Sequence, residues 1–177
     1  MLRRLRCWLP PLIITSLYLT AIRPALEYAT VAWSGIRSGD AQRLERVQRS
    51  AARLITGISP SDRLPLEILL ARAGLDPLHL RRQAACAAFA FSLSPGNHDH
   101  FPPHMAATLT VWQDLLPRST SSLVLRSSQS GVRRLPRPRT ELFRRSPFYL
   151  SFSLLNAIPP TQSSSLLSVR SHFLSSV

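Results

Sequence analysis

Between Asp40 and Thr56 the apolar positions Leu44, Val47, Ala51, Leu54 and Ile55 recur every three or four residues. That spacing gathers side chains on one face of an α-helix. Arg46, Arg49 and Arg53 fall on the opposite face, with Arg43 at its margin. Asp40 suits the N-cap, because a carboxylate there accepts an otherwise orphaned N–H of the first turn. Gly57 suits the stop, because glycine enters the left-handed conformation without a Cβ penalty. Glu45 is placed to pair with Arg49 one turn on. The pattern predicts Leu44, Val47, Leu54 and Ile55 in the core, under an outer face of arginine.

The same reading extends in both directions. Leu12–Trp33 is largely apolar, with a break expected near Pro24, since Arg23 precedes a proline and is pushed away from helical geometry. A helix can resume at Pro24, which the first turn tolerates. Downstream, a short helix is expected from Pro65 to Ala73, closed by Gly74. Asp76-Pro77 then opens another, with aspartate as cap and proline in the first turn. It runs through LHLRRQAACAAFAFSL toward Leu93 and is apolar on most sides after Gln83, which predicts burial against the earlier helices. Pro95-Gly96-Asn97 breaks it.

From residue 94 the pattern loses its period. Pro102-Pro103, Ser119–Ser122 and LPRPR read as linker, and Thr140–Pro159 regains enough apolar residues for a short helix or docking segment. Beyond Pro160 the chain is serine-rich, which predicts a mobile tail. The expected architecture is mainly α: a small helical bundle in the first half, then a long Pro-, Ser- and Arg-rich, largely disordered second half. The expected segments are a helical region over 1–93, a basic linker over 94–139, an apolar motif over 140–160 and a tail over 161–177.

Charge sharpens this picture. The 177 residues carry a net charge of +13, and all 22 basic residues are arginine. Arginine's planar fork suits phosphate, so a salt-dependent, non-specific RNA or DNA partner is the natural implication. A solvated outer face accounts for the arginines of the amphipathic helix equally well. Arg118 to Arg145 forms the most basic window, with Glu141 as its one acid. Catalytic signatures are missing. A two-metal polymerase or nuclease site needs paired carboxylates, and no two acidic residues are adjacent anywhere. There is no GxxxxGK[ST], GxGxxG or GxSxG. His98, His100 and His104 lie close together in HDHFPPH, but two prolines interrupt them and no regular element aims their rings. A polar loop explains them without metal. Cys7 and Cys86 show no ligand spacing, and a reduced intracellular setting is the default. The N-terminal MLRRLR with the apolar run behind it imitates a signal peptide or anchor, although the run is shorter than the roughly 20 apolar residues a spanning helix needs.

Several blocks occur in a recognisable order: Leu17-Tyr18, Arg23-Pro24, Leu26-Glu27-Tyr28 and Val31-Ala32-Trp33; then Leu44-Glu45, Val47-Gln48-Arg49, Ala51-Ala52-Arg53 and Ile55-Thr56-Gly57. Leu69 to Leu75, Pro77-Leu78 and Arg81-Arg82 follow, and then Arg139-Thr140, Phe143, Ser146 and Leu155–Pro159. This series resembles the region just after the polymerase domain of non-LTR retrotransposon reverse transcriptases, the jockey-like and related groups. It departs from them at Ala73, Leu155 and Ile158, which stand where that family has leucine, tryptophan and leucine. The resemblance implies a thumb-like or connecting helical part that helps to hold template RNA, with the family's catalytic aspartates upstream of everything present. It also implies that Met1 falls inside the family's reading frame, as in a truncated element copy or a late-starting gene. The expectation is therefore a catalytically incomplete reverse-transcriptase fragment, nuclear or cytoplasmic, with no cofactor, metal or small-molecule substrate. RNA or DNA would be held non-specifically, with Arg43, Arg46, Arg49, Arg53, Arg81 and Arg82 as candidate contacts. The alternative is a small basic protein using residues 7–22 as a membrane anchor or secretion signal.

Overall fold

A computed structural model describes residues 9–59, 61–93, 135, 137–158 and 165–174. Every regular element among the described residues is helical. In chain order they are α1 (Pro11–Leu17), a π-helical turn (Tyr18–Ile22), α2 (Arg23–Glu27), α3 (Ser38–Thr56), α4 (Leu66–Ala73), α5 (Leu78–Ser92), α6 (Glu141–Arg144), α7 (Pro147–Ala157) and α8 (Leu166–Leu174). The linker expected over 94–139, apart from its last few residues, and the His98, His100 and His104 segment lie outside the described residues.

The break expected at Arg23 does not occur. Arg23 is helical, with φ −59° and ψ −44°, and α1 continues into α2 through the π-helical turn. A proline ring inside an α-helix collides with the carbonyl four residues back. Here the helix widens just before Pro24, and the Arg23 N–H donates to the Tyr18 carbonyl, five residues back. One inserted residue per turn accommodates the proline without ending the helix. The helix does end after Glu27, where Tyr28 turns extended and Ala29 takes a φ of 49°.

The chain divides into two compact units. One draws on Leu9 to Thr30 and Ile36 to Arg82, the other on Val31 to Gly35 and the residues from Gln83 onward. The division falls inside α5. In the first unit Tyr18, Ala51, Ala52, Leu69, Leu70, Ala73 and Leu75 form the core, with Leu19, Ile22, Leu26, Ile55, Ile58 and Leu66 packed around it. Gly57 (φ 74°) and Gly74 (φ 64°) close α3 and α4 in the left-handed conformation. After Gly74, the Leu75 N–H returns to the Leu70 carbonyl at 3.0 Å, which satisfies one of the orphaned acceptors at the end of α4.

The buried face of α3 is rotated from the one the hydrophobic pattern indicates. Gln48, Ala51 and Ala52 are buried, whereas Leu44, Leu54 and Ile55 are half-buried and Val47 is 44% exposed. Two adjacent alanines let the packed helices approach closely, and two polar residues of the same face have partners inside the unit, described below. Those two needs outweigh the larger aliphatic stripe. Asp40 is likewise not the N-cap of α3: the helix begins at Ser38 behind Arg37, and Asp40 sits in the first turn, 3.1 Å from Arg43.

In the second unit Ala87, Ile158 and Val169 form a small core flanked by Phe91, Leu154, Leu155 and Phe173. Within this unit Ala87 thus packs with C-terminal segments. Thr140 and Ser146 cap α6 and α7, their hydroxyls accepting from the N–H groups of Phe143 and Tyr149 at 3.2 Å each. The tail expected to be mobile carries α8, with Val169 fully buried. Leu166, Val169 and Phe173 lie three and four residues apart, and this helical stripe outweighs the serines between them. Gly35 is required here by contact: a Cβ on it would stand 2.0 Å from the Arg145 carbonyl oxygen.

Candidate nucleic-acid interface

The six arginines singled out from the sequence meet different fates. On α3, Arg46 and Arg49 are exposed, and neither forms an ion pair among the described residues. Arg43 is also exposed, although its Nη1 lies 3.1 Å from an Asp40 carboxylate oxygen. Arg53 is half-buried and donates from Nη2 to the Asp62 carbonyl at 3.3 Å. The helix thus presents Arg43, Arg46 and Arg49 to solvent and holds Arg53 against its own unit. The expected pairing of Glu45 with Arg49 does not form, because Glu45 turns inward.

Arg81 is withdrawn from any such surface. Its Nε and Nη2 donate to the two carboxylate oxygens of Glu27, the second at 3.0 Å, and Nη1 lies 3.4 Å from Asp76. Both side chains of the Glu27 pair are only about a quarter exposed, at 22% and 25%. The Glu27 hydrogen bond holds the Arg81 guanidinium above its ordinary value, against the opposing effect of burial. A fork engaged on two oxygens of one carboxylate has little left to offer phosphate. Arg82 is half-buried, with a buried Nη1 that has no hydrogen-bond partner among the described residues.

A polar network missed by hydropathy alone surrounds Arg81. The start of α5 is capped from α3: the Gln48 Oε1 accepts from the Leu78 N–H at 3.2 Å, and its Nε2 donates to the Asp76 carbonyl at 2.8 Å. The Glu45 Oε1 accepts from the His79 N–H at 2.9 Å. Asp76, expected to cap α5 itself, directs its carboxylate toward Arg81 instead. A carboxylate and an amide oxygen on the orphaned N–H groups of a helix start also complement its dipole. Tyr18 lies in the same region. It is fully buried, its hydroxyl lacks a hydrogen-bond partner among the described residues, and burial pushes it up to about 12, with Glu27 and Glu45 adding to the rise and Arg23 opposing it. Glu27, Glu45, Gln48 and Arg81 come from three of the ordered blocks in the sequence, and Asp76 stands between the matched residues Leu75 and Pro77. The clue available in the sequence was their position within or beside those blocks, since none belongs to the apolar stripes.

Among the described residues, no three His, Cys, Asp or Glu side chains gather where they could hold a metal ion. No described helix is long and apolar enough to cross a membrane. In comparisons with known proteins, no family model, no curated protein and no solved structure matches the chain.

Proposed function

We propose that the chain is a post-polymerase helical region of a mobile-element reverse transcriptase, without a catalytic site of its own, that holds RNA or DNA non-specifically through the outer face of α3. The observation that carries the binding reading is the exposure of Arg46 and Arg49 without ion-pair partners among the described residues, beside the exposed Arg43, on a helix whose other face is packed. The family reading is supported by the convergence of Glu27, Glu45, Gln48 and Arg81 from three separate blocks, together with Asp76, on one internal network. Residues of a structural unit are expected to converge in this way, and catalytic work would instead require paired carboxylates free to hold metal. Arg81 and Arg82 leave the set of phosphate contacts in this reading, and Arg53 contributes less than its neighbours.

Binding of this kind is read from its salt dependence. Each phosphate neutralised contributes roughly 0.7–0.9 to the slope of log affinity against log salt. Replacing the exposed Arg43, Arg46 and Arg49 by glutamine should flatten that slope by about two to three units, with circular dichroism unchanged. An unmodified protein that shows no salt-dependent RNA binding refutes the proposal, as does a triple variant with an unaltered slope.

A further inference from the structure

The second unit carries a cationic surface of its own. Among its described residues, Arg137, Arg139, Arg144, Arg145 and Arg170 are set against one carboxylate side chain, Glu141, and all of these arginines are exposed. Glu141 cannot neutralise them all. The Arg145 Nε donates to Glu141 Oε1 at 2.7 Å and engages it most closely. The Arg144 Nη1 stays 3.7 Å from Oε2, on a side chain that is 64% exposed. Arg137 and Arg139 form no ion pair among the described residues. Surface charge that serves solubility alone is ordinarily interspersed with the opposite sign. Here Arg137, Arg139 and Arg144 form a field of one sign within eight residues of chain.

The backbone beneath Arg144 is held in place. Thr140 and Ser146 cap the helices on either side of it. The Phe143 and Tyr149 rings meet with centroids 5.6 Å apart. The Arg145 carbonyl oxygen lies so close to Gly35 that no Cβ fits between them. A ligand that pairs with Arg144 therefore orders a side chain but little backbone, which keeps the cost of binding low. Charge selects the ligand. A second copy would set cation against cation, in a chain whose net charge is +13. Guanidinium forks match phosphate oxygens, and a nucleic-acid strand offers one phosphate per nucleotide.

We infer that Arg137, Arg139 and Arg144 form a second surface for the phosphate backbone of nucleic acid. It goes beyond the reading of α3 and uses none of its residues, since the two clusters belong to different units. Arg145 acts as a positioning residue that occupies Glu141 and leaves Arg144 available.

The test is titration of the full chain with labelled poly(U) RNA over a series of salt concentrations. Arg137→Gln, Arg139→Gln and Arg144→Gln together should flatten the slope of log affinity against log salt by about two units, at roughly 0.7 per single-strand phosphate. Circular dichroism should not change, because all three side chains are exposed. A control of equal charge, Arg63→Gln with Arg72→Gln and Arg170→Gln, also alters only exposed arginines and should flatten the slope less than half as much. The Arg43, Arg46 and Arg49 glutamine variant should keep the part of the slope that the Arg137, Arg139 and Arg144 variant loses, and the two sets combined should remove both. The second surface is overturned if its variant loses no more slope than the control, or if the α3 variant alone abolishes salt-dependent binding. Loss in the second-surface variant with none in the α3 variant supports this inference and refutes the α3 reading, so the two fail separately. Displacement of the RNA by polyglutamate at equal charge concentration overturns the inference in favour of an acidic protein partner.

Discussion

Gln48 offers the sharpest test of how the first unit is held together. Its side chain is fully buried, and both ends of its amide are bonded to the backbone at the start of α5. Gln48→Ala removes two hydrogen bonds, each worth about 1 kcal/mol net, and strands the Leu78 N–H and Asp76 carbonyl, at about 1–3 kcal/mol for each that stays dry. A total cost of about 2–4 kcal/mol follows, a large share of the stability of a small unit. Gln48→Glu is the more discriminating change. It keeps the acceptor for Leu78 and turns an oxygen toward the Asp76 carbonyl where a donor had been. The introduced carboxyl is desolvated and repelled in its ionised form, so it titrates above the ordinary carboxylate range in the folded state. Once protonated, it can donate to Asp76. A raised folded-state value gives stability that is present below the unfolded value, about 4.3, and is lost as pH rises through the folded one. The deficit relative to the unmodified protein should therefore be small in mild acid and full at neutral pH. Urea unfolding followed by circular dichroism measures both, with the exposed Gln42→Ala as a control expected within about 0.5 kcal/mol. If Gln48→Ala costs no more than Gln42→Ala, or if the glutamate deficit is independent of pH, α5 is not capped from α3.

Two further substitutions probe specific contacts. Tyr18→Phe deletes a buried hydroxyl that has no hydrogen-bond partner among the described residues, so it should be neutral or stabilising, by about 1 kcal/mol or more, in the same unfolding assay. Because burial raises Tyr18 from 10.0 to about 12, its neutral form contributes stability that is present below about 10 and lost as pH rises toward 12. The phenylalanine variant should lack that alkaline component, and a tyrosinate absorbance titration should show one late-titrating group fewer. Gly35→Ala drives a Cβ to 2.0 Å from the Arg145 carbonyl oxygen, a backbone atom that cannot swing aside, and should destabilise the second unit by about 1–3 kcal/mol. Gly39→Ala meets nothing within 4 Å in the first turns of α3 and should stabilise it by about 0.5–1 kcal/mol.

The helical segments of the first half were legible because their signals are local. The spacing across residues 40–56 and the glycine stops at Gly57 and Gly74 act within a few residues. Misreadings arose where a distant partner intervened. Arg23 stays helical because a π-helical turn forms upstream of it. Asp76 does not cap α5, because Gln48 and Glu45, some thirty residues earlier in the chain, already do. Val47 lies outside the core because the capping side chains and the two small alanines fix the rotation of α3.

The candidate site divides along the same line. Composition and period alone determined that the chain is mainly helical, strongly cationic, devoid of paired carboxylates, and arranged with arginines opposite the aliphatic stripe of its longest helix. Those properties depend on residue type and on neighbours within a turn or two. Only the tertiary structure decided which arginines remain available. Arg46 and Arg49 stay in solvent, while Arg81 is held by Glu27, more than fifty residues earlier in sequence. An arginine has the same spacing whether or not a carboxylate waits across the fold. Its availability is a property of three-dimensional pairing, which no local pattern encodes.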